Sequence, residues 1–165
     1  EGDLPRDGFL LASPFAGWAS KQWPLQYYER VGELCRKEFG LPLVLNSAPG
    51  DTRLDQVANV IPHYSSLAGL IYATRLARGV IGVDSGPLHL AAALGKPGVA
   101  LFGPTSPERN GPYGNTFLCL RSSHAATSYK RRPVIDESMW QLSPESVVEK
   151  LRFQILVGQS ARCQV

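Results

Sequence analysis

An α/β domain built on a mainly parallel sheet is the fold that the sequence predicts, on three observations. Four short apolar runs, residues 8–13, 41–46, 79–84 and 98–103, are bounded by Gly, Pro or polar turn signals, as buried strands are. Stretches with helical spacing of apolar residues separate and follow them. Alternation of this kind returns the chain to the same edge of one sheet through helical crossovers.

Each element has its own justification. The run GFLLAS (8–13) lies between Gly8 and Pro14 and reads as the first strand. From Pro24 to Phe39, apolar Tyr27, Tyr28, Val31, Leu34, Cys35 and Phe39 keep helical spacing, with Pro24 in the first turn and Gly40 as the stop. LPLVLN (41–46) is the second strand and SAPGD a loop by composition; residues 51–62 give no clear element. Ser65 and Ser66 are candidate caps for a helix carrying Leu67, Leu70, Ile71, Thr74 and Leu76. GVIGVD (79–84) is a strand, PLHLAAALG (87–95) a short helix, and GVALFG (98–103) a strand again. TFLCL (116–120) precedes a polar, basic stretch. In the last helix Ser143 is the cap, Pro144 follows, and Val147, Val148, Leu151, Ile155 and Leu156 form one face.

Composition narrows the function classes. At 165 residues and 44% hydrophobic, the chain suits one well-packed domain. Lys+Arg 17 against Asp+Glu 14 leaves +3, too small a surplus to indicate nucleic acid but compatible with basic groups gathered at one anionic site. Cys35, Cys119 and Cys163 are odd in number and widely spaced, which suggests neither a disulfide framework nor a zinc cluster, and a reducing compartment. No apolar run approaches the ~18 residues needed to span a bilayer, and EGDLPRDG lacks the form of a signal peptide. A soluble, cytoplasmic protein is expected, with residues 1–7 as a linker remnant from a larger chain.

The loops after the four strands should leave from one carboxyl edge, where open parallel sheets bind ligands. In DSGPLH, Asp84 ends a strand, Ser85 and Gly86 turn, and Pro87 opens a helix whose amides and dipole favour an anion. Ser85 can add a hydroxyl, Gly86 admits a phosphate to the backbone, and the His89 imidazole can donate to an oxygen. Asp84 suits the orienting of a backbone amide or a sugar hydroxyl. The competing reading is a plain helix cap with His89 packed against a neighbour. Lys21 follows the small-residue loop FAGWAS and can reach back over the same edge, where a diphosphate would use its charge. Of the flanking tryptophans, Trp23 before Pro24 reads as a packing staple. GPTSPERNGPYG (103–114) interleaves Thr105, Ser106, Glu108, Arg109 and Asn110 with Gly and Pro, a preset shape suited to sugar recognition or a simple surface excursion. YKRRP (129–133) could meet acidic lipid or an anionic acceptor, or be a solvated face. Neither GxGxxG nor GxxxxGK[ST] occurs, no GxSxG supplies a hydrolase serine, and His63, His89 and His124 lack metal-ligand spacing.

VIGVDSGPLHLAAALGKPGVALFGPTSPERNGPYG closely resembles the signature region of the lipopolysaccharide heptosyltransferases, the ADP-heptose-using GT-B glycosyltransferases. SPFAGWASKQWPLQYYERVGELCRKEFGLPLVL is similar to the same family's stretch in which a lysine precedes Trp-Pro. The resemblance implies a Rossmann-like three-layer domain, the C-terminal, donor-binding half of a two-domain enzyme. It places Lys21, Ser85, Gly86 and His89 on the donor diphosphate, and Asp84 and Thr105 on or beside the transferred sugar. Asp51 is the carboxylate that it offers for the ribose. Where the family often has a Thr pair or Gly-Ala before the lysine, this chain has FAGWAS. The reaction implied is an inverting displacement on ADP-heptose, without cofactor or metal. A base on the N-terminal half would deprotonate a lipid-linked oligosaccharide acceptor, with at most peripheral membrane contact, so this chain alone should not turn over. Alternatives are a GT-B enzyme using another nucleotide sugar and a non-catalytic nucleotide-sugar-binding module.

Overall fold

The computed structural model describes residues 3–162. Six strands, β1 (Leu10–Ser13), β2 (Leu43–Ser47), β3 (Val60–Tyr64), β4 (Gly79–Val83), β5 (Gly98–Phe102) and β6 (Phe117–Arg121), form one sheet. Its order is β3-β2-β1-β4-β5-β6 and every adjacent pair is parallel. The four central strands are those predicted from their apolar runs, each a little shorter than its run. Residues β1, β2, β4 and β5 are buried along their whole length, as strands covered by helices on both faces must be.

The two unassigned strands are the edges. β3 contains Pro62, which cannot donate to a ladder and is exposed here, and an edge strand tolerates it. In β6 only Phe117 is buried. Asn59, just before β3, has a positive φ of 61°, and its carbonyl fits against the helix that follows β1 only because Gly32 lacks a side chain: a Cβ there would meet it at 2.2 Å.

Helices α1 (Leu25–Phe39) and α6 (Pro144–Arg162) cover one face. Tyr28, Val31, Leu34 and Cys35 from α1 and Val147, Val148 and Leu151 from α6 pack against Leu10, Ala12, Leu45, Ile81, Val83 and Leu101. Alternate strand residues point the other way, so Phe9, Leu11, Val44, Val80 and Ala100 pack under α2 (Leu67–Leu76) and α3 (Gly86–Ala93). Two short helices, α4 (Pro107–Asn110) and α5 (Glu137–Trp140), sit in the later loops.

The caps follow the sequence. Ser66 accepts from Gly69 N–H at 3.2 Å and Ser143 from Ser146 N–H at 3.2 Å. The apolar face expected of α2 is corrected, because Leu67 and Leu76 are exposed while Ala73 and Ala77 are buried beside Leu70 and Thr74. Small residues let α2 lie close to the sheet, and the large ones fall on its flank. Leu156 on α6 is likewise exposed. Pro24 stands at the N-cap of α1 rather than inside its first turn. Trp23 is the staple: it is 1% exposed, its indole N–H donates to Leu142 O at 3.0 Å, and its ring meets Tyr28 edge-on at 5.0 Å. Cys35 is a buried free thiol that desolvation pushes up to about 12, Cys119 is free and exposed, and Cys163 lies outside the described residues.

Gly82 positions α3. A Cβ at Gly82 would stand 2.9 Å from Leu88 Cδ1 and 3.0 Å from Leu88 Cβ, so the bare backbone of β4 lets the helix settle on the sheet. Gly82→Val should therefore destabilise the chain by about 1–3 kcal/mol through overpacking, read as a lower urea midpoint; an unchanged midpoint would mean that α3 has room to retreat.

Candidate functional site at the carboxyl edge

From β1 the chain builds outward to β2 and β3, and from β4 in the opposite direction to β5 and β6. The loops leaving β1 and β4 therefore diverge, and this reversal opens the crevice in which sheets of this order hold ligands. Lys21 ends a single 3-10 turn, Ala19–Lys21, in the loop after β1. Asp84 directly follows β4. Lys21 Nζ donates to Asp84 Oδ2 at 3.2 Å, so an ion pair bridges the crevice.

Both partners are largely withdrawn from water, with side chains 14% and 7% exposed. At this separation the gross attraction is about 5 kcal/mol for an effective dielectric constant near 20, and much of it offsets the desolvation of the two charges. Asn110 Nδ2, at the end of α4, donates to the same carboxylate oxygen at 3.2 Å. Asp84 Oδ2 thus collects donors from two loops. Oδ1 is left facing the half-exposed His89, whose Nε2 stands 4.0 Å away.

Lys21, Asp84, Ser85, Gly86 and His89 are therefore brought to one place. Of the two partners the sequence suggested for Asp84, a backbone amide or a sugar hydroxyl, the described residues supply no amide; it holds two side chains instead. Ser85 is the N-cap of α3 by position but makes no side-chain capping bond; its hydroxyl donates back to Val83 O at 3.1 Å. Gly86 opens α3 with nothing within 4 Å of where a Cβ would be, which leaves the helix start open to a ligand. Thr105 is 1% exposed, and among the described residues its hydroxyl has no hydrogen-bond partner.

Asp51 is already engaged. It accepts from Arg53 Nη2 at 2.6 Å and from the Ser47 hydroxyl, and Arg53, foremost, holds its carboxyl well below the usual carboxylate range. Arg53 in turn covers the Phe15 ring at 3.6 Å, joining the loops after β1 and β2.

The contacts of Trp18 escape sequence reasoning. Trp18 gives its ring to Lys21 at 4.7 Å and also to Arg131 at 5.3 Å. The basic stretch 129–133 thereby joins this edge, with Tyr129 under Arg109 at 4.7 Å. Asn110 and Arg109 carried a prior signal as polar residues of their Gly- and Pro-rich loop, and 129–133 carried one as a basic run.

A separate cleft lies on the opposite side of the sheet. It has a volume of about 680 Å3 and is lined at the amino edge by Arg6, Phe9, Arg75, Arg78, Lys96 and Pro97 among others. Lys96 there is tied to Ala77 O at 3.0 Å. The switch point and the convergent polar groups are at the other edge. Among the described residues no group of three or more His, Cys, Asp or Glu side chains could hold a metal ion, and no helix is long and apolar enough to cross a membrane.

The profile of glycosyltransferase family 9 (heptosyltransferase) matches residues 3–138. Lipopolysaccharide heptosyltransferase 1 of Pseudomonas aeruginosa is 37% identical over 112 residues, 64% of this chain and 31% of that protein. The solved structure of Escherichia coli ADP-heptose lipopolysaccharide heptosyltransferase II superposes with a TM-score of 0.79 at 23% identity, over 94% of this chain and 49% of that one. E. coli heptosyltransferase WaaC, solved with ADP, gives a TM-score of 0.70 at 22% identity, over 92% of this chain and 46% of that one. Both superpositions concern the fold, and this chain spans about half of each structure or less. The family profile covers most of the sequence, and the chain belongs to glycosyltransferase family 9 (heptosyltransferase).

Proposed function

We propose that this chain is the donor-binding half of an inverting glycosyltransferase that moves heptose from ADP-heptose to a lipopolysaccharide core acceptor. The fold hosts many chemistries, so the reading rests on one observation: Lys21 and Asp84 pair across the β1/β4 switch point beside the open start of α3. A cation, a helix N-terminus and a glycine meeting at such a crevice suit a diphosphate. Relatives named as lipopolysaccharide heptosyltransferases, and a structural neighbour solved with ADP, favour ADP-heptose as its carrier.

In the reaction, an acceptor hydroxyl oxygen attacks the anomeric carbon while the bond from that carbon to the diphosphate oxygen breaks. The hydroxyl proton passes to a base on the N-terminal half, and ADP leaves with the bonding pair. Lys21, the Gly86 amide and His89 stand where that growing negative charge would be met, already oriented before reaction, which is where electrostatic catalysis acts. Asp84 fixes Lys21 and Asn110 through Oδ2 and keeps Oδ1 for a sugar hydroxyl. The Ser85 hydroxyl retains its acceptor capacity. Thr105, in the same loop as Asn110, keeps an unpaired hydroxyl for the sugar side of the site. The lipid-linked acceptor would reach the sugar from the other half.

Lys21→Ala in an enzyme carrying both halves should lower turnover at least a hundredfold, on the order of 3 kcal/mol in the transition state. Near-normal turnover would contradict the role. The same change strands a buried carboxylate, at about 3 kcal/mol of stability; adding Asp84→Ala should recover the melting temperature without recovering turnover. Calorimetric titration of the chain should favour ADP over UDP, and equal affinities would contradict selection of an adenine nucleotide by this half.

A further inference from the structure

The basic stretch 129–133 lies outside the two sequence motifs that carry the resemblance, yet both of its ends are tied to the candidate site. On one side, Ser128 N–H donates to Pro104 O at 2.7 Å, in the loop after β5; on the other, Asp136 N–H donates to Ser20 O at 3.3 Å, in the loop after β1. Since β4 lies between β1 and β5, the segment joining these two anchors bridges the carboxyl end of β4, where Asp84 sits. It is a strap over the crevice. Arg121 supports its approach, donating to Gly103 O at 3.2 Å and to the Thr127 hydroxyl at 2.8 Å.

The strap carries uncompensated positive charge to this place. Arg131 and Lys21 share the Trp18 ring, at 5.3 and 4.7 Å from its centroid. The two cations are therefore no farther apart than about 10 Å, one Debye length at 0.1 M salt. Lys21 is balanced by Asp84, whereas among the described residues neither Arg131 nor Arg109 pairs with a carboxylate. The acids on the same loops are occupied, Glu108 by the Ser106 hydroxyl and Asp136 by Ser138. A guanidinium held on an indole keeps its edge N–H groups free to form charge-assisted bonds with an oxyanion.

We propose that Arg131, positioned by Trp18, binds the diphosphate of the nucleotide-sugar donor at the phosphate distal to the nucleoside, so that the strap completes the anion site begun by Lys21 and the start of α3. The assignment deepens the donor-binding reading given above and rests on it.

Calorimetric titration of the chain with ADP and with AMP, which lacks the distal phosphate, tests it. Arg131→Ala should weaken ADP about tenfold, the scale of one hydrogen bond to a charged group, and leave AMP within about twofold. Arg131→Lys should retain part of the ADP affinity. In a Trp140→Phe background, ADP should change the tryptophan emission, and Trp18→Phe should abolish that change. Unaltered ADP affinity in Arg131→Ala, with Lys21→Ala weakened, would overturn the strap assignment while leaving the donor site in place. Equal weakening for ADP and AMP would overturn the distal-phosphate role. No ADP binding by the unmodified chain would bring down both the strap assignment and the donor reading.

Discussion

The Lys21–Asp84 ion pair is the contact on which the geometry of the carboxyl edge depends. Lys21 belongs to the loop that leaves β1 and Asp84 to the turn that leaves β4, two segments that the sheet order sends in opposite directions. With the pair in place, the crevice between them has a fixed width and a defined charge at its floor. Asn110 fastens the loop after β5 to the same carboxylate, so three loops share one oxygen atom as their reference point. A buried charge pair of this kind contributes modestly to net stability, but breaking it is costly; its chief effect is to hold the ammonium in one place before any ligand arrives.

Rigid elements stand behind that placement. Gly82 allows α3 to rest on β4, and Leu88, fully buried, locks the first turn of the helix over the strand. On the opposite face, Trp23 ties the start of α1 to the chain just before α6 through its bond to Leu142 O. The loop carrying Lys21 is thus strung between a buried strand and a stapled helix. A site assembled on such supports loses little order when a ligand binds.

The central sheet was legible because β1, β2, β4 and β5 are buried on both faces and must be apolar along their length. The edges were not. Pro62 argues against a strand unless its N–H side faces no partner, and only the sheet order reveals that β3 is an edge. In α2, counting large side chains selected Leu67 and Leu76, which are exposed, and missed Ala73 and Ala77, which are buried beside the expected Leu70 and Thr74. Lys21 and Asp84 could each be picked out from its loop, but they are 63 positions apart and nothing local signals that they meet. Arg131 was less accessible still, since three successive basic residues look like a solvated face until Trp18 is seen beneath one of them.

Nitrogen-15 amide spectra of the chain during titration with ADP bear most directly on the central claim, because two very different places compete for an anion. The account predicts that the largest shifts fall on Gly86, Lys21 and the Trp18 indole, around the pair at the switch point. Shifts confined to Arg78, Lys96 and their neighbours in the amino-edge cleft would contradict it and move the anion site to the opposite side of the sheet.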